Sequence, residues 1–469
     1  VTIRLQDTLT GEVRPLEPLE SGHVRIYSCG PTVYGPAHIG NFRSFLFADL
    51  LVRYLRYRGL RVTWVMNLTD IDDRIISRAA AEGVTPRELT DRFAARFLAD
   101  IEALGMTRPD VLPRATDHIP QIADLVATLI DKGHAYRTDD GSVFFRIASW
   151  PSYGRLARLD PDAMRVGERV EADDYGKDDV RDFALWKGPR AGDPSWDTRI
   201  GPGRPGWHIE CSAMSMTHLG ESFDIHTGGE DLVFPHHEDE LAQSEAATGK
   251  PFVQHWLHCA HLRIGGEKMA RRSGNFERVA DLVEAGVSPR ALRYALLSVH
   301  YRAPLNYSDE SLPAAAAAVE RIDALLTALA AYRQDGADDP GLPAVLDAIR
   351  TGFEAGLDDD LNISAALASV FDGVRDLNRR LDARTLSTAD AGRATAFIRE
   401  LDTVLGVAAP ADAQLDPALV ALLDARVAAR AARDWAASDR LRDELLALGI
   451  AVEDTRDGQR WRHVTSTGG

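Results

Sequence analysis

The 469-residue sequence is poor in the features that would place a chain in a membrane or an oxidising compartment. It has three cysteines, Cys29, Cys211 and Cys259, too few and too scattered for a disulfide framework, so metal or thiol chemistry in the cytoplasm is the expectation. No apolar run approaches the roughly 20 residues needed to cross a bilayer. The first residues, VTIRLQDTLTGEV, lack the basic and then apolar stretches of a secretory signal. Basic side chains are outnumbered, 54 Lys and Arg against 71 Asp and Glu. The net charge of −17 argues against non-specific nucleic-acid binding but leaves room for a local basic stripe.

What is present is well organised. The chain exceeds one compact core, so about two to four domains are expected. HVRIYS (23–28) alternates apolar and polar residues and leads into Cys29. From Asn41, NFRSFLFADLLVRYLRYRG spaces Phe42, Phe45, Leu46, Asp49, Leu50 and Tyr54 by three and four, with Gly59 at the stop, which predicts a helix. RVTWVMNLT (61–69) is a near-continuous apolar and β-branched run, as in a strand buried on both faces. Strand, helix and strand in that order predict a right-handed crossover in a doubly wound parallel (Rossmann-like) α/β sheet. In such a sheet the loop before the helix binds nucleotide, although neither a Walker loop nor G-x-G-x-x-G occurs in this one. Residues 85–135 read as helical, with stops at Pro109 and Pro113, and 138–205 as short strands and turns inserted between halves of the sheet domain. Strand-like runs return at SFDIHTG (222–228) and HLRIGG (261–266). Beyond about 290 the chain reads as a helical bundle, then a linker near 407–417, a helix, and a hairpin turning at Asp457-Gly458. The expected division is 1–118 with 206–290 for the split sheet domain, 119–205 for the insertion, 291–406 for the bundle and 415–469 for a small α/β tail.

Three stretches carry chemistry. His38, Gly40 and Asn41 open the first predicted helix, where free N–H groups and the positive dipole favour phosphate and Gly40 permits close approach of a flat ring or ribose. Asn41 capping the helix, with His38 a surface residue, accounts for the same letters. The second stretch, GWHIECSAMSMTHLGESFDIHTGGEDLVFPHHEDE (206–240), sets Cys211 between strand-like and helix-like runs, and His236 four residues before Glu240 on one helix face. With Cys29 these are chemically reasonable zinc ligands. His237 competes, but helical geometry points it about 100° away from His236. Two core cysteines and a polar helix face are the plainer account. In the third, GGEKMARRSGNFERV (265–279), Lys268, Arg271 and Arg272 could neutralise a departing pyrophosphate or form a solvated basic turn. Cys259, in HWLHCAHL, reads as a buried small hydrophobe.

Taken in order, CGPTVYGPAHIGN, GWHIECSAM, FPHHEDE and KMARRSGNF resemble the HIGH, zinc and KMSKS segments of cysteinyl-tRNA synthetases, a class I aminoacyl-tRNA synthetase family. NLTDIDDRI (67–75) and the terminal ARDWAASDRLRDELLALGIAVEDTRDGQRWR are similar to it too, so the resemblance spans nearly the whole chain. It implies ATP-dependent attachment of L-cysteine to tRNA(Cys) through a cysteinyl-adenylate. It also implies one zinc ion on Cys29, Cys211, His236 and Glu240, selecting the substrate thiolate, and Mg²⁺ accompanying ATP. His38, Asn41, Lys268 and Arg271 become the catalytic residues, the first two at the ATP phosphates and the last two favouring pyrophosphate departure. Gly40, Gly228, Gly229 and Asp231 complete the ATP site, and Cys29, Thr69, Trp207 and His226 line the cysteine pocket. The bundle would contact the tRNA stem and the tail its anticodon, in a cytoplasmic monomer with no membrane partner. Two motifs depart from the family pattern: Asn41 closes HIGH in place of His, and KMSKS reads Lys268-Met269-Ala270-Arg271-Arg272, which loses both serine hydroxyls.

The implied chemistry needs no strong base, because a carboxylate attacking a phosphate is already a nucleophile and positioning supplies the rate. A cysteine ligase acting on an amino sugar would share the zinc and nucleotide motifs without needing the tail. A nucleotide-binding regulator would explain the altered basic loop. Arg426, Arg430, Arg433, Arg440, Arg442 and Trp461 are the tail's candidate RNA contacts, with a solvated helix and a core tryptophan as the alternative.

Overall fold

A computed structural model describes residues 2–159, 181–269, 276–409, 417–455 and 458–463. A short antiparallel pair, β1 (Arg4–Gln6) and β2 (Val13–Pro15), precedes β3 (His23–Ser28), α1 (Ile39–Tyr57) and β4 (Arg61–Met66). There follow α2 (Asp73–Glu82), α3 (Pro86–Ala103), α4 (Ile119–Asp131), β5 (Ala135–Arg137), β6 (Val143–Phe145), β7 (Phe183–Lys187) and β8 (Arg204–Pro205). Next come α5 (Trp207–Leu219), β9 (Phe223–Gly229), α6 (Glu238–Thr248), β10 (Val253–Cys259), β11 (Leu262–Ile264) and β12 (Glu267–Lys268).

The main sheet runs β10-β9-β3-β4, every neighbouring pair parallel, as the βαβ pattern predicts. β3 leads through α1 to β4 on one side, whereas β9 leads to β10 on the other. The carboxyl ends of β3 and β9 therefore bound the crevice where such sheets receive ligands. The ladder runs one residue past β3, because the Cys29 N–H donates to the Thr227 carbonyl at 3.1 Å. Ile26, Trp64, Ile225 and Trp256 are fully buried around this sheet, each contributing about 2–3 kcal/mol from lost apolar hydration. β10 was not read from VQHWLHC, whose histidines and glutamine break the apolar run of an edge strand.

The start of α1 is held from both ends. His38 is the N-cap: its Nδ1 accepts the Asn41 N–H at 3.2 Å while the Asn41 carboxamide oxygen accepts the His38 N–H at 3.2 Å. The cap is thus His38 rather than Asn41, the two side chains closing one reciprocal pair. Arg43, 2% exposed, donates to the carbonyls of Ala260, Leu296 and Ala303, tying the first turn to the chain after β10.

The stretch between α4 and α5 forms a second sheet, antiparallel in the order β5-β6-β7-β8. Phe145 stacks on Phe183 at 4.9 Å in a core that includes Ile122, Val126 and Trp186. This sheet is pinned to α2 by Asp73, which Lys187 Nζ meets at 2.8 Å and Arg204 also contacts. β11 and β12 are joined through Gly265-Gly266, both at positive φ (60° and 86°), as a two-residue hairpin turn requires.

The chain divides into two compact units, Val1–Asp281 with Leu296–Ser308 and Ala355–Ser364, and Leu282–Ala295 with Asp309–Glu354 and Ala365–Gly469. The remaining elements are α7 (Val279–Glu284), α8 (Pro289–Leu297), β13 (Leu305–Tyr307), α9 (Ser311–Ala331), α10 (Leu342–Asp358), α11 (Ile363–Asp382) and α12 (Thr388–Leu405). The tail comprises α13 (Pro417–Ala431), α14 (Trp435–Ala447) and an antiparallel hairpin, β14 (Ile450–Thr455) with β15 (Gly458–His463). Asp457, at its anticipated turn, lies outside the described residues.

One expected RNA contact is corrected here. Arg426 is 1% exposed and grips the Asp454 carboxylate at 2.9 and 3.0 Å, so its charge holds the hairpin to α13. Arg430 shares Asp454 at 2.8 Å and lies over the Trp435 ring, which is 57% exposed. Trp461 packs beside Leu423, Leu445 and Ile450. Among the described residues no helix is long and apolar enough to cross a membrane.

Candidate active site

A cavity of about 610 Å³ opens at the carboxyl ends of β3, β4 and β9. Its lining includes Cys29, Thr69, Trp207, Cys211 and His236 toward one pole and His38, Gly40, Asn41, Gly229 and Asp231 toward the other. Eleven residues that are far apart in sequence thereby share one space once Met269 is added.

The sulfur pole is built by three elements. Cys29 ends the extended β3. Cys211 lies inside α5, not at a strand–helix junction as its sequence neighbours implied, and sits four residues after Trp207 on the same helical face. His236 and Glu240 come from the wide turn over Val233–His237 and the first turn of α6. The sulfurs of Cys29 and Cys211 are 3.9 Å apart, Cys29 Sγ is 3.7 Å from Glu240 Oε1, and His236 Nε2 is 2.9 Å from the same oxygen. All four donor atoms lie within 4.8 Å of one another and all four residues are buried. Tetrahedral zinc with Zn–S bonds of 2.3 Å would set two sulfurs about 3.8 Å apart, so the donor set fits the ion in chemistry and spacing.

His237 is a correction. Regular helical geometry points it away from His236, yet its Nε2 stands 3.3 Å from Cys29 Sγ, and Cys29, His226, His237 and Glu240 form a second compact donor set. The chain kinks at Phe234 (φ −138°, ψ 132°) just before these residues, and the adjacent imidazoles reach the cluster at different donors, His236 at Glu240 and His237 at Cys29. Behind the donors stand further partners. His208 Nδ1 meets His236 Nδ1 at 2.9 Å, and His208 Nε2 lies 3.4 Å from Asp239. His258 Nε2 meets His237 Nδ1 at 2.8 Å, while His258 Nδ1 meets Thr8 Oγ1 at 2.7 Å. Such outer contacts fix ring orientation and tautomer around a metal site.

The charges at this pole are strongly coupled to burial. Burial would raise the Cys211 thiol, but hydrogen bonding from Cys29 and the neighbouring His236 bring it down to about 6. Burial and the adjacent Cys211 push the Cys29 thiol well up. Against its own burial, Glu240 is held at about 2 by His226 and His236, and His236 is raised to about 10 by Glu240 and Cys211. A cation is thus already favoured beside Glu240 and Cys211.

His226 and Gly228 do not reach the cavity. His226 is fully buried behind the donors, its Nε2 3.0 Å from Glu240 Oε2 and its ring stacked on Trp256 at 4.7 Å. A Cβ on Gly228 would stand 2.6 Å from His237 Cε1, so only glycine leaves room for that ring. Thr69 is oriented by Asn67, whose amide nitrogen donates to it at 3.0 Å and whose oxygen accepts the Gly30 N–H at 2.8 Å. Sequence reasoning missed Asn67, although NLTDIDDRI contained it. Trp207 stacks on His236 at 4.2 Å, walling the sulfur pole.

At the phosphate pole, a Cβ on Gly40 would stand 2.9 Å from His38 Nδ1 and 3.5 Å from Met269 Sδ, so the beginning of the basic loop lies over the first turn of α1. The Lys268 backbone pairs with Arg263 in the β11–β12 hairpin. Arg271 and Arg272 lie outside the described residues. Cys259 is buried beside the Arg43 carbonyl, as its apolar surroundings in the sequence implied.

Residues 15–317 match the model of the tRNA synthetases class I (C) catalytic domain, residues 352–409 a DALR domain, and residues 412–462 the cysteinyl-tRNA ligase anticodon binding domain. The chain is 45% identical to the cysteine–tRNA ligase of Solibacter usitatus, covering 98% of this chain and 100% of that one. It is 46% identical to the cysteine–tRNA ligase of Symbiobacterium thermophilum, covering 98% and 99%. In fold it is similar to Mycobacterium tuberculosis methionyl-tRNA synthetase in complex with methionyl-adenylate, with TM-score 0.58 and 17% identity over 82% of this chain and 90% of that one. A leucyl-tRNA synthetase ternary complex from Agrobacterium radiobacter K84 gives TM-score 0.61 and 13% identity over 83% and 85%. The chain belongs to the cysteine–tRNA ligase family of class I tRNA synthetases.

Proposed function

We infer that this chain attaches L-cysteine to tRNA(Cys) in two steps, adenylation with ATP and transfer to the tRNA, in one cavity. The observation that carries the reading is the juxtaposition of a buried two-thiol, imidazole and carboxylate cluster with a capped helix N-terminus across about 610 Å³. Bound to Cys29, Cys211, His236 and Glu240, zinc would hold the substrate sulfur as thiolate, which the hydroxyl of serine matches poorly. His226 is assigned to orient Glu240 from behind, while Thr69 and Trp207 bound the amino acid.

The substrate carboxylate attacks the α-phosphate of ATP, which carries Mg²⁺ with it. His38 accepts a backbone N–H at Nδ1, so its neutral ring carries the proton on Nε2, which supplies a donor to phosphate. Asn41 keeps that ring in place, and the α1 N-terminus adds positive potential. Gly40, Gly228, Gly229 and Asp231 are assigned to the nucleotide, with Gly228 acting through the close packing of His237. Lys268 and Arg271 are assigned to the pyrophosphate charge on departure.

The four-part division of the chain, the monomer and the cytoplasmic location belong to the same reading. An amino-sugar ligase is disfavoured by the anticodon-binding match over 412–462, a module that acceptor would not use. The test is cysteine-dependent charging of tRNA by the purified protein with ATP and Mg²⁺. Cysteine-driven pyrophosphate exchange without charging would favour the small-molecule ligase. Silence in both assays would favour a non-catalytic binder.

A further inference from the structure

The two poles leave one edge of the cavity unassigned, the edge beyond β4. There the loop after β3 is zipped to the loop after β4 by two backbone bonds, Val33 N–H to the Thr69 carbonyl at 3.0 Å and Thr69 N–H to the Pro31 carbonyl at 3.2 Å. Beyond these bonds the two chains bring Tyr34, next after Val33, and Arg74, the second residue of α2, to the cavity wall. The Arg74 guanidinium lies 5.0 Å from the Tyr34 ring centroid, and its Nε donates to Asp72 at 2.9 Å. Asp72 is itself fixed, because it caps α2 by accepting the Ile75 N–H at 2.7 Å. Asp73, one residue further, is clamped by Lys187 and Arg204 of the second sheet. Arg74 is therefore held in place by its flanks, yet its side chain is 52% exposed. Among the described cavity residues it is the one arginine or lysine.

We propose that Arg74, spread over Tyr34, receives the last phosphodiester of the tRNA 3′ end and positions the terminal ribose for the transfer step. The inference rests on the charging reaction proposed above. In that step a ribose hydroxyl attacks the carbonyl carbon of the cysteinyl-adenylate. The ester C–O bond forms, the bond from carbonyl carbon to the phosphate oxygen breaks, AMP leaves with the electron pair, and the hydroxyl proton passes to the departing phosphate. The hydroxyl must enter between the poles. On the β10 side Met269, which follows the β11–β12 hairpin, lies against the first turn of α1, whereas among the described residues the β4 edge carries the cavity's cation. A polyanion entering a protein of net charge −17 needs a cation at that edge, and a guanidinium stacked on a phenol presents both a charge and a flat face to a nucleotide.

The experiment compares Arg74→Ala, Arg74→Lys and the unmutated full chain in two assays. These are cysteine-dependent pyrophosphate exchange, and single-turnover transfer from preformed adenylate to tRNA at several tRNA and salt concentrations. For Arg74→Ala, transfer at low tRNA should fall about tenfold more than exchange does, mostly through the apparent tRNA affinity, with a salt slope smaller by about 0.7. Arg74→Lys should restore the slope and only part of the rate. Equal losses in both assays, or an unchanged salt slope in Arg74→Ala, would overturn the assignment. Exchange that is absent from the unmutated protein would overturn the charging reaction itself, and the role of Arg74 with it.

Discussion

The two poles of the cavity are built on opposite principles. At the sulfur pole the chemistry is in side chains that are buried and tied from behind: Glu240 meets His226 and His236, and His237 leans on His258, which in turn meets Thr8. At the phosphate pole the chemistry is in a helix terminus whose capping bonds are exposed, with Met269 at the start of the basic loop beside Gly40. Burial makes the first pole selective, because a misfit ligand there leaves polar groups unpaired. Exposure makes the second permissive in binding, with its gain reserved for charge that develops on the departing group.

Substitutions should separate the two. Cys211→Ser attacks the sulfur pole and carries the largest expected effect. Preference for cysteine over serine should fall on the order of 10³-fold, within the range open to a group its competitor lacks. Zinc content measured by atomic emission should drop, while ATP affinity changes far less. Unaltered preference would remove the metal from substrate selection. Lys268→Ala addresses the other pole: adenylation should slow by about 10²-fold with a much smaller loss of ground-state ATP binding, measured by burst kinetics against equilibrium binding. Equal losses would make Lys268 an anchor only.

His38 serves both structure and chemistry, so two variants sharpen the contrast. His38→Ala should cost about 1 kcal/mol through the lost cap and slow adenylation at least about tenfold. His38→Asn should recover the stability, read by thermal melting, but not the rate. If it recovers both, the ring acts only as a cap.

The smallest effect lies away from both poles and serves as a reference. His255, on β10 and 1% exposed, has its pKa lowered to about 4 by burial and by the nearby Arg14. Its ordinary value is near 6.5, so between the two the unfolded chain binds a proton that the folded chain refuses. Stability should therefore fall by about 1 kcal/mol from pH 6 to pH 5 on this account, and His255→Leu should flatten that part of the acid limb in urea titrations. An unchanged slope would place the acid sensitivity elsewhere.

Much of the arrangement was legible beforehand. The strand at 23–28 and the helix after it followed from periodicity, and the strands at 61–66 and near 223–229 from apolar runs, because a strand covered on both faces loses its alternation. Cys29, Cys211, His236 and Glu240 were legible as donor types, and their grouping as a family pattern. What resisted local reading were features set by partners distant in the chain. Arg426 looked like an RNA contact until Asp454 appeared beside it. β10 lacked a clean alternation because it is buried nearly throughout, one edge paired with β9 and the other bonded to Asp7 and Thr8 from the N-terminus.

By itself, then, the sequence determined the alternation of strands and helices, the residue types able to bind metal and phosphate, and the family to which the chain belongs. Only the tertiary structure decided that His237 faces the thiols, that His226 stands behind Glu240 rather than in the cavity, that His38 caps its helix, and that Arg74 reaches the β4 edge. The reason is physical. Composition and period are properties of one segment, whereas the direction of a side chain and its electrostatic surroundings depend on which other segments crowd it, and four strands had to converge before those neighbours existed.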